Sequence, residues 1–328
     1  MYRGGRNISV LANSDGGAVI TLVGAGPVGA LMSIYLARRG FDVTVYERRP
    51  DMRRTAIPAG RSINLALANR GIDALKKIGL MDRVNRLLIP MRGRMIHHQD
   101  GGLDLQPYGN KPEEVIFSVS RAELNKILID AAEAEGVSVR FNQRCQNLDI
   151  AAGKLTLVDE IGGERRALPY GVIVGADGGG SVVRDAIIAA ASGELSEDIL
   201  DHGYKELSIP PDPGGGFAMD ENALHIWPRG GFMLIALPNL DRGFTATLFL
   251  SNEGEDSFAA LQTSTDVETF FNRHFADTVP LMANLTSDFF KNPIGTLGTI
   301  RCFPWRYRGN VVVMGDAAHA IVPFHGQA

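Results

Sequence analysis

An α/β fold, built on a parallel sheet and carrying an inserted antiparallel one, is expected from three features of the sequence. A β-branched run near the N-terminus ends in a Gly-x-Gly-x-x-Gly turn formed by Gly24, Gly26 and Gly29. Two later apolar runs end in glycine–aspartate pairs, Asp177-Gly178 and Gly315-Asp316. Between those pairs the pattern changes to short alternating stretches separated by turn formers, as in an antiparallel sheet. One glycine turn is a weak signal. Three strand-ending corners in this order describe a chain that wraps one large dinucleotide.

The first unit is the clearest. Residues 18–23 are apolar and too short a run for a helix. After the glycines, residues 30–39 read as a helix with Leu31, Ile34, Tyr35 and Leu36 toward the sheet, and Gly40 stops it. A second strand, residues 42–46, leads into Glu47, which lies 23 residues after Gly24. This is a Rossmann-like βαβ unit. Its glycines allow a tight turn, close backbone approach to a pyrophosphate and close helix–strand packing. The helix N-terminus offers unpaired N–H groups, and an acid at the end of the second strand can accept from ribose hydroxyls.

Further along, residues 69–80 have helical spacing at Ile72, Leu75 and Ile78. Ser120 and Glu123 form a capping box for a helix over 121–135. A strand over 137–142, a small hairpin from Lys154 onward and a buried strand from Tyr170 to the Asp177 corner follow. Strands over 224–227, 231–237 and 244–250 make the inserted sheet, and helices are expected over 267–276 and 279–285. A strand over 310–314 reaches Gly315-Asp316. The binding domain is therefore discontinuous: 18–80, 110–203 and 300–328, with 81–109 and 204–299 as a substrate domain and 1–17 as a loose tail.

Composition excludes several classes. At 328 residues the chain is long enough for two domains. A net charge of −4 with scattered basic residues gives no reason to expect nucleic-acid binding. Cys145 and Cys302 are too isolated for a disulfide framework or a metal site, and His97-His98 are neighbours pointing opposite ways on a strand. No apolar run reaches the 18 residues of a membrane span, and a cytosolic location is expected. Nothing in the sequence specifies an oligomeric state.

The three motifs together resemble the single-component FAD-dependent aromatic hydroxylases. Longer strings resemble, within them, the kynurenine 3-monooxygenase family: residues 60–67 (GRSINLAL), 89–97 (IPMRGRMIH), 107–109 (PYG), 118–121 (SVSR), 224–229 (LHIWPR) and 315–324 (GDAAHAIVPF). The resemblance implies FAD and NADPH as cofactors, with Gly24, Gly26, Val28, Gly29, Glu47, Arg48, Ala66, Arg121, Cys145, Asp177 and Asp316 about the FAD. It implies Arg94 and Tyr108 as receptors for the α-carboxylate of L-kynurenine, and Phe324 as lining for the aromatic pocket. The implied reaction, a step of tryptophan degradation, adds one oxygen atom of O2 to the ring through a flavin hydroperoxide. The cofactor carries that chemistry, so no nucleophile triad is required. A guanidinium takes a carboxylate bidentately, and a phenol adds a second donor.

Other readings stand beside these. Arg92 competes with Arg94 for the carboxylate, and Tyr108 also reads as a turn tyrosine facing solvent. His225 and Trp227 read as sheet packing, and His319 caps or packs beside the flavin. The resemblance equally covers a hydroxylase of another aromatic acid. A flavin halogenase lacks support, as no Trp-x-Trp-x-Ile-Pro string occurs, and a plain NAD dehydrogenase leaves Gly315-Asp316 unexplained. The family continues past the position of Ala328 into a glycine-rich loop and a helical region that closes the pocket. Without that region, an inactive or peroxide-leaking flavoprotein is a third reading.

Overall fold

A computed structural model describes residues 19–55 and 64–323. In chain order the first elements are β1 (Val19–Val23), α1 (Pro27–Ala37), β2 (Asp42–Tyr46), β3 (Asn64–Leu67), α2 (Asn69–Lys77), α3 (Met81–Val84), β4 (Ile89–Met91), β5 (Gly93–His97), β6 (Leu103–Pro107) and β7 (Ile116–Ser120). Then come α4 (Arg121–Ala134), β8 (Ser138–Arg140), β9 (Gln143–Asp149), β10 (Lys154–Asp159), β11 (Arg165–Pro169), β12 (Val172–Gly175) and α5 (Val182–Ala191). The remainder is β13 (Glu194–Ile209), β14 (Ala223–Arg229), β15 (Phe232–Pro238), β16 (Phe244–Ser251), α6 (Ser264–His274), α7 (Leu285–Lys291), β17 (Gly295–Phe303), β18 (Arg306–Tyr307), β19 (Val311–Val313) and α8 (Asp316–His319).

Contacts divide the described chain into two units. The first comprises 19–55, 125–198 and 299–321. Its six-stranded sheet has the order β18-β19-β12-β1-β2-β8, parallel except for β18. β1 is a β-branched run buried over its last four residues, as a central parallel strand must be. The meander β11-β10-β9 supplies Leu148, Leu155 and Leu157 to one apolar cluster with Ile173, Val183, Ile187, Val311 and Val313. α1 buries a narrower face than expected: Gly29, Ala30, Ser33 and Ile34 are buried, whereas Leu31, Tyr35 and Leu36 are half-buried. Small residues let this helix lie close to the sheet.

The second unit comprises 64–124, 199–298 and 322–323. Its large sheet has the order β17-β13-β16-β15-β14-β5-β6. The pairs β13/β16, β16/β15, β15/β14 and β5/β6 are antiparallel, and β14/β5 is parallel. One face carries Trp227, Leu234, Ala236, Leu248 and Leu250 into a core with Phe270 and Phe271 of α6 and Phe289 of α7. α6 starts with a capping box, in which Thr263 and Asp266 bond each other's backbone N–H. The other face carries Leu224, Ile235, Leu237 and Phe249, packed with Ala66, Met91 and Leu297.

Several boundaries differ from expectation for local reasons. Residues 64–80 and 110–124 belong to the second unit rather than to the nucleotide-binding part, because β3 and β7 pair with β4 in a separate sheet. The helix at 69 ends at Lys77, and Gly79 turns left-handed at φ 65°. The strand expected over 137–142 shortens to β8, and Asn142 lies at φ 56°. The helix expected over 279–285 is a 3-10 turn at Val279–Leu281, and α7 starts where that helix was to end. β13 was not foreseen. Its first six residues are all exposed, so they show no alternation of apolar and polar side chains.

Ile34 is fully buried between α1 and the sheet. Ile34→Ala should therefore lower unfolding free energy by about 3 kcal/mol, read from urea titrations, through lost burial and the cavity left behind.

Candidate functional site

Strand register brings the motif corners of the first unit together. Val23 stands beside Gly175 on one side and Tyr46 on the other, and Gly175 stands beside Val313. All four strands are parallel, so their carboxyl ends share one edge of the sheet, where open α/β sheets bind ligands. Gly24, Asp177, Gly315 and Glu47 leave from that edge. The ladder continues one residue past the strands: Ala176 N–H donates to Val23, Gly24 N–H to Tyr46 and Met314 N–H to Gly175.

The corners pack closely, the first two through bare backbone and the third against the Val28 side chain. Gly24 has φ 99°, and a Cβ there would strike the Ala176 carbonyl oxygen. A Cβ on Gly29 would strike the Gly24 carbonyl oxygen. A Cβ built on Gly315 would come within 3.0 Å of Val28 Cγ2, which places the third corner against the first. At Gly26, by contrast, an added Cβ meets no heavy atom of the described residues within 4 Å. The turn is thus packed on its inner side and open on its outer side. Among the described residues no side chain caps α1, so its first N–H groups face that open side. These features fit a pyrophosphate.

The side chains around this edge divide into two kinds. Glu47 accepts from Ala25 N–H at 2.8 Å and from Arg49 N–H at 2.9 Å, which ties the end of β2 to the glycine turn. Arg48 is exposed and Val28 is 40% exposed. Asp316, first residue of α8, is half-buried, and its carboxylate has no hydrogen bond or ion pair among the described residues. Asp177 points elsewhere: it accepts from Ser181 Oγ at 2.5 Å and Val182 N at 2.8 Å, at the N-terminus of α5. Burial raises its carboxyl pKa, against those hydrogen bonds. Cys145 is buried on β9, and burial, then the Asp177 charge, push its thiol up to about 12. It stays a neutral thiol. His319 is exposed, with its ring 5.2 Å from Trp305.

One residue of this edge was missed. Asn125 of α4 is buried and donates from Nδ2 to the Ala25 carbonyl at 3.0 Å, while its Oδ1 has no partner among the described residues. A buried amide oxygen without a donor is costly and fits a site completed by a bound group. The available signal was a polar residue inside the apolar stripe of Leu124 and Leu128.

In the second unit the expected pair does meet. Arg94 on β5 places its guanidinium 5.2 Å from the Tyr108 ring centroid. Tyr108 is half-buried, in the bend that follows β6. Burial raises its phenol pKa, and the charge and hydrogen bond of Arg94 pull it down. Arg92 precedes β5 and is exposed, whereas Arg94 is half-buried and opposite Leu224 of the apolar face. Ala66 is buried in β3, and Arg121 is exposed at the start of α4, whose Glu123 N–H donates to Ser120 Oγ. Phe324 lies outside the described residues, as does residue 325.

The opposite face of the same sheet holds a polar cluster that sequence reasoning treated as packing. His97 Nε2 lies 2.8 Å from His225 Nδ1, and His225 Nε2 lies 2.8 Å from the Asp220 carbonyl. His97 Nδ1 lies 3.3 Å from Asp277 Oδ2, which accepts from Trp227 Nε1 at 2.7 Å. The His97 ring stacks on Trp227 with centroids 4.0 Å apart. Burial, then the neighbouring His225, lower the His97 pKa to about 4, against a pull upward from Asp277; burial also lowers that of His225.

Comparison with known proteins agrees with these corners. The FAD binding domain family matches residues 18–328. Kynurenine 3-monooxygenase of Myxococcus xanthus (strain DK1622) is 50% identical over 94% of this chain and 67% of its own length. The chain belongs to the kynurenine 3-monooxygenase family. It is an FAD-dependent monooxygenase by descent, and it spans about two thirds of the length of the curated relatives it matches. The family member of Stenotrophomonas maltophilia (strain K279a) is 47% identical over 94% of the chain and 68% of its own length. Among solved structures, 2-methyl-3-hydroxypyridine-5-carboxylic acid oxygenase superposes with a TM-score of 0.71 at 22% identity, over 94% of this chain and 78% of that one. Tetracycline destructase Tet(51) gives 0.62 at 18%, over 94% and 76%. Both show the shared fold. No helix among the described residues is long and apolar enough to cross a membrane.

Two outcomes follow from this geometry. Gly29→Ala should yield protein that loses FAD on gel filtration while the wild type keeps its flavin absorbance, because the new methyl meets backbone that cannot swing aside. The histidine cluster sets a pH dependence. Both imidazoles are held neutral below their ordinary pKa of 6.5, so their contribution to stability is full above pH 6.5 and is lost as pH falls toward about 4. The urea midpoint should drop over that window, and the drop should shrink in His97→Gln; equal drops in both proteins would contradict the assignment.

Proposed function

We propose that this chain binds FAD and hydroxylates L-kynurenine to 3-hydroxykynurenine, with NADPH as reductant and O2 as oxidant, a step of tryptophan degradation. The observation that carries the reading is the Arg94–Tyr108 pair at an apolar sheet face, in a chain of this family. Reduced FAD, when bound, supplies activation of O2 for transfer to an aromatic ring.

The residues of the chain bind and orient. Gly26, Val28 and Gly29 with the start of α1 would hold the pyrophosphate of FAD by backbone N–H groups, and Gly24, whose N–H bonds Tyr46, would serve by making the tight turn. Glu47 and Arg48 would flank the adenosine ribose, and Asp316, whose carboxylate has no partner among the described residues, would accept from the ribityl hydroxyls. Asp177 acts through the backbone turn it holds, since its own oxygens bond the start of α5. Cys145, a buried neutral thiol, contributes contact rather than chemistry. Ala66 and Arg121 keep proposed FAD contacts, and Phe324 a proposed place at the substrate ring, from the resemblance alone.

Arg94 presents a fixed fork to the α-carboxylate of the substrate, and the Tyr108 hydroxyl adds a donor. Leu224, Ile226, Met233 and Phe249, on the same face as Arg94, give an aromatic ring an apolar bed and keep water from it. The same fork accepts other aromatic acids, so the assay decides the substrate.

Purified FAD-bound protein should convert L-kynurenine and NADPH to 3-hydroxykynurenine, identified by mass spectrometry. Hydroxylation of a different aromatic acid, or peroxide as sole product, would overturn the reading. Arg94→Met should weaken L-kynurenine binding by about 30-fold or more with FAD content unchanged, because a carboxylate loses its charged partner. Tyr108→Phe should weaken it by about five- to tenfold.

A further inference from the structure

We propose that His97 and His225 are positioning residues for Arg94: their buried hydrogen bond locks β5 onto β14 from the far face of the sheet and so holds the guanidinium in place. The inference rests on the reading of Arg94 as the carboxylate receptor.

Beyond its backbone ladders with β14 and β6, β5 has few side-chain anchors. Its outer neighbour β6 is exposed at all five residues and adds no core. Within β5, Gly93 has no side chain, Arg94, Met95 and Ile96 are half-buried, and His97 is buried. Strand alternation puts His97 on the face opposite Arg94. There it meets His225 of β14, while Arg94 stands opposite Leu224, the residue before His225. An apolar anchor would hold β5 without direction. A hydrogen bond between two ring nitrogens adds a directional tie to the register that the β14 ladder sets.

The direction of that bond follows from its ends. The Asp220 carbonyl only accepts, so His225 carries its proton on Nε2 and leaves Nδ1 bare. His97 therefore donates from Nε2 to His225 Nδ1. Neutral His97 then has a bare Nδ1 facing Asp277 Oδ2, and this contact is the longest of the set at 3.3 Å. That carboxylate is already bonded by Trp227 Nε1. The other charged group beside His97 is Arg229, whose guanidinium donates to the His97 and His274 carbonyls. The Asp220 carboxylate, near His225, accepts from Asn222 N–H. What β5 needs at position 97 is thus a donor at the site of Nε2. Glutamine can supply one; leucine cannot.

The test compares FAD-bound wild type, His97→Gln and His97→Leu by L-kynurenine titration, with FAD content and melting temperature read in parallel. Kynurenine Kd should rise about tenfold or more in His97→Leu and stay within about threefold of wild type in His97→Gln, with FAD content equal in all three. In an Arg94→Ala background the His97→Leu effect on Kd should vanish, which a general loss of packing would not produce. The proposal is overturned if His97→Leu binds like wild type, if His97→Gln is as weak as His97→Leu, or if the effect persists without Arg94. Should His97→Leu not accumulate, ring nitrogen NMR of the wild type decides. L-kynurenine must shift the His97 and His225 signals, and unmoved His97 signals overturn it. A wild type that binds FAD but no kynurenine defeats the carboxylate reading itself, and the proposal with it.

Discussion

The carboxyl ends of β19, β12, β1 and β2 lie on one edge of a parallel sheet, locked there by close contacts at glycines, to backbone at Gly24 and Gly29 and to the Val28 side chain at Gly315. Everything proposed about the cofactor depends on that edge. The lock has two consequences. It fixes the relative heights of three corners that are far apart in sequence. It also leaves N–H groups, rather than side chains, on the open side of the turn, where a pyrophosphate is bound best by donors that need no reorganisation. An apolar cluster is shared by the parallel strands, α5 and the meander.

The second unit solves a different problem with one sheet and two unlike faces. One face is closed by the aromatic side chains of α6 and α7 and by the histidine cluster. The other is apolar and carries Arg94 beside Tyr108. Because successive residues of a strand alternate between faces, the same five-residue strand presents the guanidinium proposed to take the substrate on one side and its proposed anchor on the other. Chemistry of the site then needs few titrating groups. Cys145 is protonated and Asp177 is engaged by α5, so the chain's contribution is orientation and exclusion of water.

What could be read in the sequence was what local pattern encodes. The βαβ unit was legible because strand, glycines, helix and acid occur within thirty residues, each with its own period. β14, β15 and β16 were legible because turn formers separate alternating runs. Arg94 and Tyr108 were legible through resemblance, and the structure brings them together. The rest depended on distant partners. β3 and β7 look like any short strands until they pair with β4. His97 meets His225 across 128 positions and Asp277 across 180, and no local period marks such a meeting. The turn of the Asp177 carboxylate toward α5 depends on Ser181, a helix cap that a ligand-turn reading overlooked.

The most direct test of the glycine edge is to titrate flavin-free protein with FAD and, separately, with riboflavin, which lacks the ADP portion. The expected result is saturable binding of one FAD per chain and binding of riboflavin weaker by about a hundredfold or more, since the pyrophosphate and adenosine contacts are the ones this edge supplies. Riboflavin bound as tightly as FAD, or no uptake of FAD at all, would contradict it.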